Sequence, residues 1–181
     1  MADLLHFEDL PVGRVFECGP YHVSKEEIFE FASEFDPQPH HLDEEAAKNS
    51  MLKGLSASGW HICAMTMRMF ADGVILKAAN KGGAGAREAR WMKPVRPGDT
   101  LRMEAEVVEA KTSQSKPVGF VTFDCRVFNQ TEQVALISMT SFGNERRVML
   151  ARSAIVMAFV GLGLIVAAAT AKTIITNIFG G

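Results

Sequence analysis

The stretch Trp60-His61-Ile62-Cys63-Ala64-Met65-Thr66-Met67-Arg68-Met69-Phe70 carries a single fixed charge, Arg68. A helix over these residues is apolar around almost its whole surface, and such a helix belongs in a protein interior. Downstream, past the glycine-rich Lys81-Gly82-Gly83-Ala84-Gly85, the hydrophobic period changes to two. Leu101, Met103, Ala105 and Val107 alternate with Arg102, Glu104 and Glu106, and Val121, Phe123, Cys125 and Val127 alternate with Thr122, Asp124 and Arg126. A third such run covers residues 134–142. These segments are predicted to be strands with one buried face, joined closely enough to be antiparallel neighbours. A buried helix followed by antiparallel strands predicts an α+β architecture, a sheet wrapped around a central helix.

Upstream of the helix, Val12-Gly13-Arg14-Val15-Phe16 and Tyr21-His22-Val23 are predicted as two short extended segments separated by Gly19 and Pro20, forming an edge of the sheet. Ser24 stands three residues before Glu27 as a capping box, and Ile28, Phe31, Ala32 and Phe35 recur at helical spacing until Pro37 stops the helix. Asp36 therefore falls at a helix exit. Asp43 caps a second short helix through Glu44-Glu45-Ala46-Ala47 that ends before Lys53-Gly54.

The 181 residues, 48% hydrophobic and 22% charged, suffice for one domain with a sizeable core. A formal net charge of −2 gives no electrostatic reason to expect a nucleic acid partner. Cys18, Cys63 and Cys125 form neither a CxxC pair nor a zinc-like spacing with histidine, so no metal site is expected and the thiols are read as reduced. The first thirty residues lack a basic-then-apolar leader, which places the folded part in the cytoplasm. Composition shifts at Val148, giving a folded domain over 1–147 and a hydrophobic tail over 148–181. From Ser153 to Ala171, 19 residues pass without a charge. As a helix rising roughly 1.5 Å per residue this run is about 28 Å long, close to the hydrocarbon thickness of a bilayer. Arg146, Arg147 and Arg152 on its N-terminal side favour a C-terminal transmembrane helix anchoring the domain to the inner face of a membrane. A buried or partner-covered helix is the alternative.

The segment with most chemical content is Phe35-Asp36-Pro37-Gln38-Pro39-His40-His41-Leu42-Asp43. Two prolines stiffen a turn that separates a carboxylate from an imidazole by five positions. Held over one small volume, such a pair suits hydration chemistry, in which one proton is taken from water and one is delivered. The same spacing also fits an aspartate that merely ends a helix, followed by solvated loop histidines. His40 is expected to point away, and His61, on the apolar helix, is expected to be a satisfied core histidine. Arg87, Arg90, Lys93 and Arg96 either meet the phosphates of coenzyme A or form a solvated strand face. The run Gly82-Gly83-Ala84-Gly85 lacks the spacing of a nucleotide-binding loop.

The segment around Asp36 resembles the signature of the MaoC-like (R)-specific enoyl-CoA hydratases, Asp-x-Asn-Pro-x-His followed by Leu-Asp. Asp36, Pro39, His41, Leu42 and Asp43 match in register, while Gln38 stands at the asparagine position. Ala57-Ser58-Gly59-Trp60-His61 aligns with the family segment entering the central helix, with Ser58 where a histidine is usual. Arg90-Trp91-Met92-Lys93-Pro94-Val95-Arg96-Pro97-Gly98-Asp99 resembles the family's strand and turn. Met67 occupies the place of a supporting serine, with Thr66 beside it pointing elsewhere. The resemblance implies a hot-dog fold that pairs into a homodimer with the active site between two copies. It implies that Asp36 acts as base and orients a water that His41 shares through its ring nitrogen, and that the amide at Gly59 stabilises the thioester oxyanion. Gln38, Ser58, Arg90 and Lys93 are then expected against the substrate. The implied reaction is the reversible hydration of a 2-enoyl thioester to a 3-hydroxyacyl thioester, carried on coenzyme A or an acyl carrier protein, with no cofactor. A thioesterase and a non-catalytic acyl-thioester-binding or membrane-scaffold protein are the competing readings.

Overall fold

The computed structural model describes residues 4–147, so the tail and its expected membrane helix over 153–171 lie outside the described residues. Among the described residues no helix is long and apolar enough to cross a membrane. The chain runs β1 (Val15–His22), α1 (Lys25–Phe35), α2 (Pro39–Leu42), α3 (Glu44–Asn49), α4 (Gly59–Gly73), β2 (Gly85–Trp91), β3 (Thr100–Thr112), β4 (Val118–Phe128) and β5 (Gln133–Glu145). The strands form one antiparallel sheet in the order β1-β3-β4-β5-β2. The α+β class and the helix laid against an antiparallel sheet agree with the sequence pattern.

Alternation along β3 and β4 works as expected. Leu101, Met103, Ala105, Val107, Val121, Phe123, Cys125 and Val127 are all buried, and their polar neighbours are more exposed except Thr122, which is buried as well. The face they make receives α4, whose Ile62, Met65, Met69 and Phe70 are buried at helical spacing. Phe70 packs edge-on to Phe123 at 5.0 Å and to Phe142 at 5.3 Å between ring centroids. Removing a ring so enclosed costs about 3–5 kcal/mol. At the other end of the helix, Gly73 lies against β1 so closely that a Cβ there would stand 2.3 Å from the Cys18 sulfur. Glycine is thus required for the helix to settle on the sheet.

Two expectations need correction. The two extended segments near the start are a single strand, β1, whose register shifts between Cys18 and Tyr21, so Gly19 and Pro20 make an irregularity within the strand rather than a break. The helix α4 is apolar all round in sequence, yet Trp60 and Met67 on its outer side are 62% and 42% exposed. Its buried face is covered by the sheet, while among the described residues the outer one stays largely exposed apart from the contact of Trp60 with Trp91.

Candidate active site

The helix α1 begins where Ser24 Oγ accepts the Glu27 N–H and ends with Asp36 as its C-terminal cap. Pro37 and Pro39 follow, and Pro39 opens the single turn α2 that carries His40 and His41. Asp43 Oδ1 then accepts the Ala46 N–H at 2.7 Å and starts α3. Asp36 and His41 are therefore held by a helix end and a one-turn helix with little freedom between them. The His41 Nε2 stands 3.7 Å from Asp36 Oδ2.

His41 is buried, and its Nδ1 lies 2.8 Å from the carbonyl oxygen of Ser56. A carbonyl only accepts, so Nδ1 carries a proton and Nε2 is the nitrogen turned toward Asp36. Asp36 is fixed from two sides. Ser58 Oγ donates to Oδ2 at 2.5 Å, and Gln38 Nε2 donates to Oδ1 at 2.7 Å. These two hydrogen bonds, that of Ser58 first, hold the carboxyl below the usual aspartate range against the opposing effect of burial. Asp36 is thus a carboxylate at neutral pH. Ser58 also caps α4 by accepting the Trp60 N–H at 3.2 Å, so one hydroxyl joins the carboxylate to the start of the central helix. The next residue, Gly59, opens that helix with an amide that has no acceptor among the described residues.

His41 and Gly59 border a cavity of about 250 Å³, completed by His40, Ser56, Trp91 and Lys93 among others. Asp36 is not part of the cavity wall and reaches it only through its contact with His41, its side chain 17% exposed. His40 does not point away as expected but lines the cavity, its ring 4.3 Å from that of His41. Burial and the neighbouring His41 hold its pKa below the usual histidine value. Of the residues expected against substrate, Gln38 and Ser58 direct their side chains to Asp36, while Lys93 lines the cavity and pairs with Glu132 at 3.2 Å. Arg90 lies on β2, paired with Glu88 at 3.0 Å, and is not part of the cavity wall. Arg96, read either as a phosphate ligand or as a solvated charge, is neither. Its guanidinium donates to the carbonyls of Leu52, Gly54 at 2.5 Å and Leu55 at 3.0 Å, tying down the loop that carries Ser56.

Three features escaped the sequence reading. The Ser56 carbonyl acts through the backbone and has no side-chain signature. Trp91 lies over Gly59, where an added Cβ would stand 2.6 Å from the indole ring, so this glycine is needed for the ring as well as for any ligand. Ser58 meets Asp36 across 22 positions. Its place immediately before an apolar helix was the signal available for its capping role. Thr66 donates back to the Ile62 carbonyl at 2.7 Å, and Met67 is half-exposed, so neither supports Asp36.

The chain is 30% identical over 128 residues to the uncharacterized protein YdeM of Bacillus subtilis, covering 71% of this chain and 90% of that one. The crystal structure of the MaoC-like dehydratase from Rhodospirillum rubrum superposes with a TM-score of 0.73 at 42% identity, covering 79% of this chain and 98% of the other. The R-hydratase PhaJ1 from Pseudomonas aeruginosa superposes with a TM-score of 0.64 at 27% identity, covering 79% and 88%. The fold is therefore the hot-dog fold. With the sequence profile of the MaoC like domain matching residues 9–125 as well, the chain belongs to the MaoC-like family of hot-dog dehydratases and hydratases.

Proposed function

We propose that this protein reversibly hydrates a 2-enoyl thioester to the 3-hydroxyacyl thioester, with Asp36 and His41 as the catalytic residues. The observation that carries the reading is the 3.7 Å approach of His41 Nε2 to an ionised Asp36 beside a cavity that begins at the Gly59 amide. A water held about 2.8 Å from each group would complete that pair. Adding this water builds negative charge on the thioester oxygen, which the free Gly59 N–H at the positive end of α4 would receive. Loss of one such donor raises a barrier by about 3 kcal/mol in other enzymes.

The proton count favours a division of labour. Asp36, held ionised by Ser58 and Gln38, orients the water but is a weak base. His41 takes a proton at Nε2 as the water oxygen bonds Cβ and the double-bond electrons move toward Cα and the thioester oxygen. Asp36 stabilises the imidazolium, which then returns its proton to Cα, so one water is added and the enzyme is unchanged. Gln38 and Ser58 are positioning residues, and Lys93 at the cavity wall suits a phosphate of coenzyme A or of a carrier prosthetic group. The protein works as a homodimer in this reading, supported by the open edge of β2 and the exposed outer face of α4. The uncharged run 153–171 would hold it at a membrane. Retention of the protein in membranes washed with alkaline carbonate supports that part, and full release removes it.

The decisive experiment follows the enoyl-thioester absorbance with crotonyl-CoA and longer enoyl thioesters on coenzyme A and on carrier protein. Loss of absorbance that Asp36→Asn and His41→Gln abolish while circular dichroism is unchanged supports the hydratase. Turnover that survives both substitutions overturns it. Release of free thiol would point to a thioesterase, and tight binding without turnover to an acyl-thioester-binding protein.

A further inference from the structure

Ser56 is 1% exposed, and its hydroxyl has no hydrogen-bond partner among the described residues. A buried hydroxyl left unpaired costs stability, and its retention in a native fold points to a role outside packing. The hydroxyl is the only polar group of the side chain, so no other atom there makes up the loss. Ser56 lines the same cavity of about 250 Å³ as His41 and Gly59.

The backbone around Ser56 is fixed on both sides. Its carbonyl oxygen lies 2.8 Å from His41 Nδ1, and the next amide, that of Ala57, donates to the Val95 carbonyl at 2.9 Å. Arg96 ties down the carbonyls of Leu52, Gly54 and Leu55 just before it. Rotation about Cα–Cβ is the freedom that remains, and it moves the hydroxyl among three staggered positions without disturbing the loop.

Placement beside His41 decides which group the hydroxyl can meet. Ser56 stands at the Nδ1 edge of the imidazole, whereas Asp36 stands 3.7 Å from Nε2. The water of the hydration reaction belongs at the Nε2 edge, so the hydroxyl lies across the ring from it. The other reacting group of an enoyl thioester is its carbonyl oxygen, which gains negative charge as water adds. Gly59, three positions further along the same segment, carries the free amide assigned to that oxygen. No carboxylate in the cavity lining opposes such a charge, and the Lys93 ammonium is engaged by Glu132.

We infer that Ser56 is a further catalytic residue, its hydroxyl donating to the thioester oxygen as a second oxyanion donor beside the Gly59 amide. The hydroxyl keeps its proton throughout, and its hydrogen bond strengthens as charge develops, so it favours the transition state over bound substrate. The inference rests on the hydratase reading above and adds the second donor of that site. It also gives the unpaired hydroxyl its partner, present only when substrate is bound.

The test uses Ser56→Ala and Ser56→Thr in the full chain. Ser56→Ala should lower kcat for crotonyl-CoA by about 10²-fold with KM within a few-fold. Its melting temperature should stay the same or rise, because the residue removed is an unsatisfied hydroxyl. Ser56→Thr keeps the donor and should recover about 10-fold of that loss. A second readout needs no turnover. Crotonyl-CoA isotope-labelled at the carbonyl carbon and bound to Asp36→Asn should show a lower carbonyl stretching frequency than when bound to the Asp36→Asn, Ser56→Ala double variant. An unchanged kcat in Ser56→Ala, or a carbonyl stretch indifferent to Ser56, overturns the donor role and leaves the hydratase intact. A folded protein that hydrates no enoyl thioester overturns both.

Discussion

Two histidine–carboxylate clusters flank the start of α4, and they differ in what holds the far side of each imidazole. In the first, Ser58 donates to Asp36, and His41 meets that carboxylate with its other nitrogen satisfied by the Ser56 carbonyl. In the second, Tyr21 donates to Glu27, and His61 Nε2 lies 3.3 Å from the same carboxylate oxygen. There the Nδ1 of His61 is buried without a hydrogen-bond partner, and Phe31 stacks on the ring at 4.6 Å with 7° between planes. His61 was expected to be a satisfied core histidine, and it is satisfied at one nitrogen only. Burial holds its pKa below the ordinary value despite Glu27, and burial with the Glu27 hydrogen bond pushes Tyr21 up to about 12. Both clusters border a cavity, of about 250 Å³ at His41 and about 270 Å³ at His61, Glu27 and Tyr21. The backbone acceptor that fixes the tautomer of His41 is what distinguishes the first cluster from the second.

The comparison breaks if the two histidines respond alike. His41→Gln and Asp36→Asn should each lower kcat/KM for crotonyl-CoA by about 10²- to 10⁴-fold with the melting temperature little changed, whereas His61→Phe should leave it within a few-fold. Equal losses from His41→Gln and His61→Phe would sink the distinction.

Ser58→Ala is expected to act next most strongly and in two separable ways. It removes the α4 cap, costing about 1 kcal/mol in denaturant titrations. It also removes the largest influence that lowers the Asp36 pKa. That depressed pKa stabilises the fold above the unfolded aspartate value of about 3.9, an effect lost as pH falls through the lower native value. With Ser58 gone the native pKa rises toward the unfolded value, so the fall in melting temperature below about pH 4 should flatten. An unchanged fall would mean that Asp36 titrates independently of Ser58.

The smallest effect sharpens the second cluster. Because burial lowers the His61 pKa, the unfolded chain takes up a proton below about pH 6.5 that the native state refuses, and stability falls with pH until the native value is passed. His61→Phe should flatten the fall in melting temperature between roughly pH 7 and 5. His40, also lowered, keeps part of the slope. A slope unchanged by His61→Phe would show that this ring does not titrate with folding.

Much of the scaffold was legible because local signals agreed with tertiary demands. Ser24 before Glu27, Pro37 after Phe35, and alternation along 101–107 and 121–127 each name an element that packing then uses. The strand β2 was harder to see, since Gly85-Ala86-Arg87-Glu88-Ala89-Arg90-Trp91 has no apolar alternation and is exposed along nearly its whole length. β1 was split because Gly19-Pro20 is turn chemistry that here serves a strand irregularity. At the site, Asp36 and His41 lie close in sequence, and a stiff turn could be read directly. Their partners Ser58 and Ser56 come from another segment, and only the folded chain brings them together.

Arg96 gives the site a property of another kind. By gathering three carbonyls of the 52–55 loop, one side chain joins the turn after β2 to the segment that leads, through Ser56, Ser58 and Gly59, into α4. Imidazole orientation, carboxylate support and the exposed amide consequently share one mechanical anchor. Local opening of that loop would disassemble all three at once, making loss of competence a single cooperative event rather than a gradual loosening.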